Sequence, residues 1–225
     1  SMVIQSGEAD AQKGILLPIT FTTQYNSHHP YGYNDASFIP AAGLQSQLTF
    51  GANVKVGPVK LQLQPELICA ANPSYPVNGG YGYTSCKPYT KLYGGQSTLS
   101  VSASAFSVGV STANKWWGPG VTNALIMSNN APGFANIFIK THRPAKTPIG
   151  SFEWQMISAY LDPMDRAYQG LAEVGSATEP GRRYLNSAIL TYQPKWISGL
   201  SFGMSRVVQE NEAELDYNKK WFLLL

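Results

Sequence analysis

Residues 114–133, NKWWGPGVTNALIMSNNAPG, put two tryptophans, four asparagines and two Gly/Pro turns around one ionisable group, Lys115. Side chains of this kind suit neutral, hydroxyl-rich ligands. A tryptophan face matches the apolar C–H face of a pyranose, and an asparagine amide donates and accepts at once. Trp116 and Trp117 could stack on sugar rings. Neighbours on an extended chain point opposite ways, so at most one of them would meet a ligand. The same residues could instead fill a cavity, and Asn123, Asn129 and Asn130 could serve the backbone of an irregular loop.

Two further groups have chemical potential. Residues 30–35, PYGYND, combine Tyr31, Tyr33, Asn34 and Asp35, which is glycan chemistry and turn chemistry in equal measure. Arg143, with Lys140 and Lys146 around RPAKTP, suits uronic acids or pairing with Glu153. His28, His29, Asp35 and His142 lack zinc-ligand spacing, so no metal is expected. The chain has no G-x-S-x-G, Walker loop or H-E-x-x-H. Glu66 and Glu153 sit on polar strand faces, and glycoside cleavage would need them at a set separation. The expectation is a binding protein without cofactor, not an enzyme.

Charged residues are 13% of the chain, about half the usual globular share. Low charge with 13 Tyr and 21 Gly points to an extracellular or outer-membrane β protein. A net charge of +3 is too small and scattered for nucleic acid. No apolar run reaches the ~18 residues of a membrane helix, which leaves a β-barrel open. Cys69 and Cys86 flank a Gly/Tyr/Pro-rich loop and suit a disulfide in an oxidising compartment.

Residues 1–14 read as a lead-in without a signal peptide, Ser1-Met2 resembling a scar left after a signal was removed. Alternation then predicts strands at 15–25, 45–56, 59–69, 97–111, 134–141, 152–160, 184–194 and 199–208. In 15–25, Leu17, Ile19 and Phe21 share one face. In 97–111 the apolar set slips by one residue, which predicts a bulge near Ala105. Residues 72–96 read as a long loop with five tyrosines, 162–174 as a weak helix, and 219–225 as the start of another strand. The total is about nine or ten strands.

Sandwich and membrane barrel both alternate. Long strands, short turns alternating with long loops, and aromatics at strand ends (Tyr25, Tyr160, Tyr184, Trp196) favour the barrel. Two stretches are more specific. Residues 25–51 hold PYGYND and IPAAGLQ; residues 114–161 hold KWWGPG, NALIMSNNAPGF and RPAKTPIGSFEWQ. Together, over about a third of the chain, they resemble the Wzi family of outer-membrane capsule-assembly proteins.

The resemblance implies an antiparallel transmembrane β-barrel of roughly eighteen strands. It implies a lectin-like protein of the Gram-negative outer membrane, with loops at the cell surface that hold capsular or other surface polysaccharide. Its partners would be that polymer and outer-membrane lipid. The chain is about half the expected length, so 15–225 reads as a partial barrel, the N-terminal half. A porin-like barrel and a soluble β-sandwich carbohydrate-binding module are the other readings.

Overall fold

The computed structural model describes residues 14–27, 31–73, 88–122, 124–162 and 181–214. They form one antiparallel sheet of twelve strand segments. These are β1 (Ile15–Asn26), β2 (Gly43–Val56), β3 (Val59–Leu63), β4 (Glu66–Ala70), β5 (Tyr89–Tyr93) and β6 (Thr98–Ala103). There follow β7 (Phe106–Ser111), β8 (Asn136–Thr141), β9 (Ala145–Thr147), β10 (Gly150–Leu161), β11 (Arg183–Pro194) and β12 (Phe202–Asn211). β3 and β4 share the partner β2, β5 and β6 pair with β4 and β3, and β8 and β9 share β10. Each of those three pairs continues one line, so twelve segments make nine wall strands, each beside its neighbour in sequence. The sheet is open between β1 and β12 among the described residues.

Connections sort by end. Residues 57–58, 104–105, 148–149 and 195–201 turn the chain at one end. The strand ends that lead into and out of residues 27–42, 71–88, 112–135 and 162–182 all lie at the other. Gly57 takes φ 57° ahead of Pro58, the positive first position of a II′ hairpin turn. At the long-loop end Arg182 donates to Asp162 at 2.8 Å, and that carboxylate raises the guanidinium pKa above its ordinary value.

The sheet is built inside out. One face is covered by residues 31–42, packed on β4 and β5, and by the segment around Trp117, packed on β8, β10 and β11, and its rows are largely polar. Gln45, Asn53, Ser100, Ser107, Ser111 and Gln155 on it are all buried. The other face is bare and apolar: Leu16, Phe21, Val108, Val110, Ile137 and Met204 are exposed on it. In water this would be a large adhesive surface. In hydrocarbon it is a matched one, each half-exposed side chain contributing about 1 kcal/mol of transfer free energy.

Two aromatic levels bound the bare face. Near the short turns Phe152 stacks on Tyr192 at 4.7 Å and Tyr192 on Phe202 at 6.4 Å. Near the long loops Tyr160 meets Tyr184 at 5.4 Å. Phe152 and Tyr160 stand eight residues apart on β10. That is roughly 26 Å along the strand, or about 20 Å along the normal at a 40° tilt. The spacing suits the girdles of an outer-membrane wall.

Four expectations are corrected. Residues 97–111 are a hairpin and not one bulged strand: Ala103 pairs with Phe106 around Ser104–Ala105, with Ser104 at φ 53°. Neither turn residue is Gly or Asn, so the turn left no signature. The bulge lies instead in β1, where the register slips between Leu17 and Thr20 around Pro18. It puts Leu17 on the opposite face from Ile19 and Phe21. Part of the tyrosine loop is strand β5, with Tyr89 buried against Ile68 and Ala70. Residues 142–150 read from their Pro and Gly as a turn-rich link, and they contain β9. The expected helix at 162–174 and strand at 219–225 lie, apart from Asp162, outside the described residues.

Candidate functional site

Two long connections meet over the covered face at the long-loop end. Residues 31–42 leave β1 and lie on β4 and β5. Ile39 and Ala41 pack with Ile68, Ala70 and Tyr89 in one core cluster, with Phe38 and Tyr93 against it. Polar clamps fix this loop. Gln45 accepts from the Ile39 N–H at 3.1 Å and donates to its carbonyl at 2.6 Å, imitating a strand partner. Asn26 donates to the Tyr31 and Ala41 carbonyls at 2.9 and 2.8 Å. Buried Ser37 donates to the Glu66 carboxylate, which also accepts from Gln96 at 3.1 Å.

Residues 112–135 leave β7 and return at β8. Trp117 is 3% exposed and packs with Phe138, Ile157 and Ile189 from three strands, with Met127 and Phe134 alongside. Its N–H donates to the Met127 carbonyl at 3.1 Å, while its indole Nε1 is buried with no partner. Trp116 is half-buried and donates from Nε1 to the Gly120 carbonyl at 2.7 Å. Asn114 ties the base of the segment, donating to the Ala131 carbonyl at 2.8 Å and accepting from Gln96 at 3.1 Å. Gly133 closes the segment, since a Cβ there would collide with the Thr112 carbonyl.

The two connections are stitched together through residues singled out in the sequence. The Asn34 N–H donates to Asn130 Oδ1 at 2.8 Å, and Asn34 Nδ2 to the Thr122 carbonyl at 2.7 Å. The Tyr33 hydroxyl donates to the same carbonyl at 3.2 Å. The Ala36 N–H donates to the Asn129 carbonyl at 2.7 Å, holding Ala36 at φ 55°. Asp35 accepts from Gln24 and from the Tyr33 N–H. Non-glycine residues at positive φ store strain, and here they mark the seam between the loops.

Tyr33, Asn34, Asp35, Asn129 and Asn130 are therefore joined in one hydrogen-bonded seam, while Tyr31 is tied to Asn26 and Trp116 to Gly120 of its own segment. Much of their hydrogen bonding is internal. What remains open to solvent is Tyr31, Tyr33, Asn130 and the exposed tip with Val121, Leu125 and Ile126. Asn123 lies outside the described residues. Arg143 is not brought to the seam; it is exposed between β8 and β9, towards the short turns. Cys69 is exposed on the bare side of β4, and Cys86, its expected disulfide partner, lies outside the described residues.

Gln45, Gln96 and Asn26 do as much to build the site and were not singled out, and Glu66 was weighed only for glycoside cleavage, not as the latch it forms with Ser37 and Gln96. Alternation had put Gln45 and Glu66 on polar strand faces, but only the loop paths reveal which rows lie beneath them. A groove of about 490 Å³ on the bare face, lined by Leu61, Leu63, Leu99, Val110 and Ile137 with Tyr160 and Arg182, is separate from this seam. It belongs to the lipid-compatible wall. No group of three or more potential ligands that could hold a metal occurs among the described residues.

A family model described as capsule assembly protein Wzi matches residues 26–211. No curated protein and no solved structure matches the chain.

Proposed function

Because the chain belongs to the Wzi family of capsule assembly proteins, we propose that it is a lectin-like outer-membrane protein. In this reading it binds capsular or other surface polysaccharide through its long-loop end and anchors it to the cell surface, without catalysis. The observation that carries the membrane half is the inverted wall. A bare apolar face between two aromatic levels, backing onto a covered polar face, suits lipid outside and a wet interior. The glycan half rests on the family and on the chemistry of the loop seam. Tyr31 and Tyr33 offer exposed rings on the loop whose Asn34 is bonded to exposed Asn130, a combination suited to sugar C–H faces and hydroxyls.

The test uses the full chain in outer membranes. Cells lacking the protein should make polymer and shed it into the medium, and a Tyr31→Ala/Tyr33→Ala variant should reach the membrane yet retain less polymer. Halted polymer synthesis would refute anchoring. Steady ion conductance in planar bilayers with no glycan retention would favour a porin-like role, a role that the Trp117 packing inside the sheet argues against.

A further inference from the structure

Two wall strands break at the same height. Gln64 and Pro65 interrupt the line made by β3 and β4, and residues 94–97 interrupt the line made by β5 and β6, with Gln64 bridged to Gly95. Gly95 takes φ 57°, and a Cβ on it would collide with the Gln64 carbonyl. The break is tied from both sides. The Gln96 N–H donates to the Gln64 carbonyl at 3.0 Å, and Gln62 Nε2 donates to the Gln96 carbonyl at 3.1 Å. From the other side Thr112 donates through Oγ1 to the Gly95 carbonyl and through its N–H to the Ser97 carbonyl, each at 2.9 Å. The backbone of Gln96 is thus held independently of its side chain.

That side chain bridges the supports of the two long connections. Gln96 Nε2 donates to Glu66 Oε1 and to Asn114 Oδ1, each at 3.1 Å. Glu66 accepts in turn from Ser37 of residues 31–42, and Asn114 donates to the Ala131 carbonyl near the far end of residues 112–135. The polarity of this chain is fixed from its ends. The Ala131 carbonyl can only accept, so Asn114 turns its amide nitrogen there and its oxygen to Gln96. A carboxylate at position 66 only accepts as well. Position 96 must therefore offer two N–H groups from one atom, which a primary amide does and a hydroxyl or carboxylate does not. The seam joins the same two connections at the surface, through Tyr33, Asn34 and Ala36. The Gln96 bridge joins them a second time, underneath.

We propose that Gln96 is the positioning residue that sets the two long connections against each other, and so aligns Tyr31 and Tyr33 with Asn130. The assignment rests on the glycan reading of the seam and adds the residue on which the seam's geometry depends.

Hydrogen exchange of the full chain in vesicles tests it at two amides, Ile39 in the first connection and Trp117 in the second. Gln96→Leu keeps the size and removes both donors, so both amides should exchange at least ~10-fold faster. Glu66→Gln/Gln96→Glu keeps charge and size but reverses one bond. It restores the link between positions 66 and 96 and leaves Ser37 an acceptor, yet turns a carboxylate on Asn114 Oδ1. Ile39 should then return to within ~3-fold of the parent while Trp117 stays at least ~10-fold faster. A general loss of stability would move both amides together. Recovery of both amides in the double variant, recovery of neither, or a Gln96→Leu chain that exchanges like the parent overturns the assignment. On cells, Gln96→Leu should retain less surface polymer than the parent, and equal retention overturns it too. If the parent itself retains no more polymer than cells lacking the protein, the anchoring role fails, and the two amides still decide the bridge.

Discussion

Trp117→Ala tests the most consequential packing contact. The side chain is 3% exposed among Phe138, Ile157 and Ile189. Truncating a buried tryptophan removes roughly 150–250 Å² of buried surface and costs about 3–5 kcal/mol. One effect offsets it: the buried Nε1–H has no acceptor, and relieving such a group returns about 1–3 kcal/mol. The net expectation is a loss of about 2 kcal/mol, within a range of about 0–4 kcal/mol. Trp117→Phe keeps most of the apolar surface and removes the orphaned donor, so it should fall within about 1 kcal/mol of the parent. Trp116→Ala gives up a half-buried ring and one bond to the Gly120 carbonyl, for about 1–2 kcal/mol. Urea unfolding of the vesicle-reconstituted chain, followed by gel mobility of folded and unfolded bands, reads all three. If Trp116→Ala costs more than Trp117→Ala, or if Trp117→Phe costs as much as Trp117→Ala, the assignment of Trp117 as the seated residue is wrong.

Val108→Arg and Ile139→Arg place charge on bare-face residues already 51% and 40% exposed. In a lipid-facing wall each should cost about 2–4 kcal/mol and slow membrane assembly, whereas near-neutral stability would reject a lipid-facing role. Glu66→Ala strands the Ser37 hydroxyl and one Gln96 donor, so it should cost about 2–4 kcal/mol and open residues 31–42 to limited proteolysis; unchanged cleavage would exclude the latch. Gly133→Ala drives a methyl into the Thr112 carbonyl and should destabilise by at least ~2 kcal/mol, measured by the same urea titration. A neutral result would mean that the segment can return to β8 by another path.

The wall was largely legible before any coordinates. In β2 polar and apolar residues alternate almost throughout, and for β2, β10 and β11 predicted and observed spans differ by only a few residues. What alternation cannot supply is direction, because a soluble sandwich and a membrane wall share the pattern and differ only in which face is bare. β5 was hidden because five residues, two of them polar, are too few to show a period. The Ser104–Ala105 turn was hidden because its positive φ falls on a serine. The site was half legible. Residue type drew attention to Asn34, Asn130 and Tyr33, which do meet, but only tertiary structure decides that Trp117 faces the wall and that Arg143 stands apart.

The order of connections along the chain also sets a timetable. Pairs joined through 57–58, 104–105 and 148–149 close after two residues, and loop-closure entropy makes such hairpins the earliest contacts. The stitches between residues 33–36 and 122–130 span nearly a hundred positions and gain nothing until the strands between them are aligned. The wall would therefore zip first and the two connections would dock last, on a finished surface. Pulse-labelled hydrogen exchange should show hairpin amides protected before those of Ala36 and Trp117. If the proposed glycan site is that surface, every half-assembled chain would lack it, and only a fully inserted protein could capture polymer.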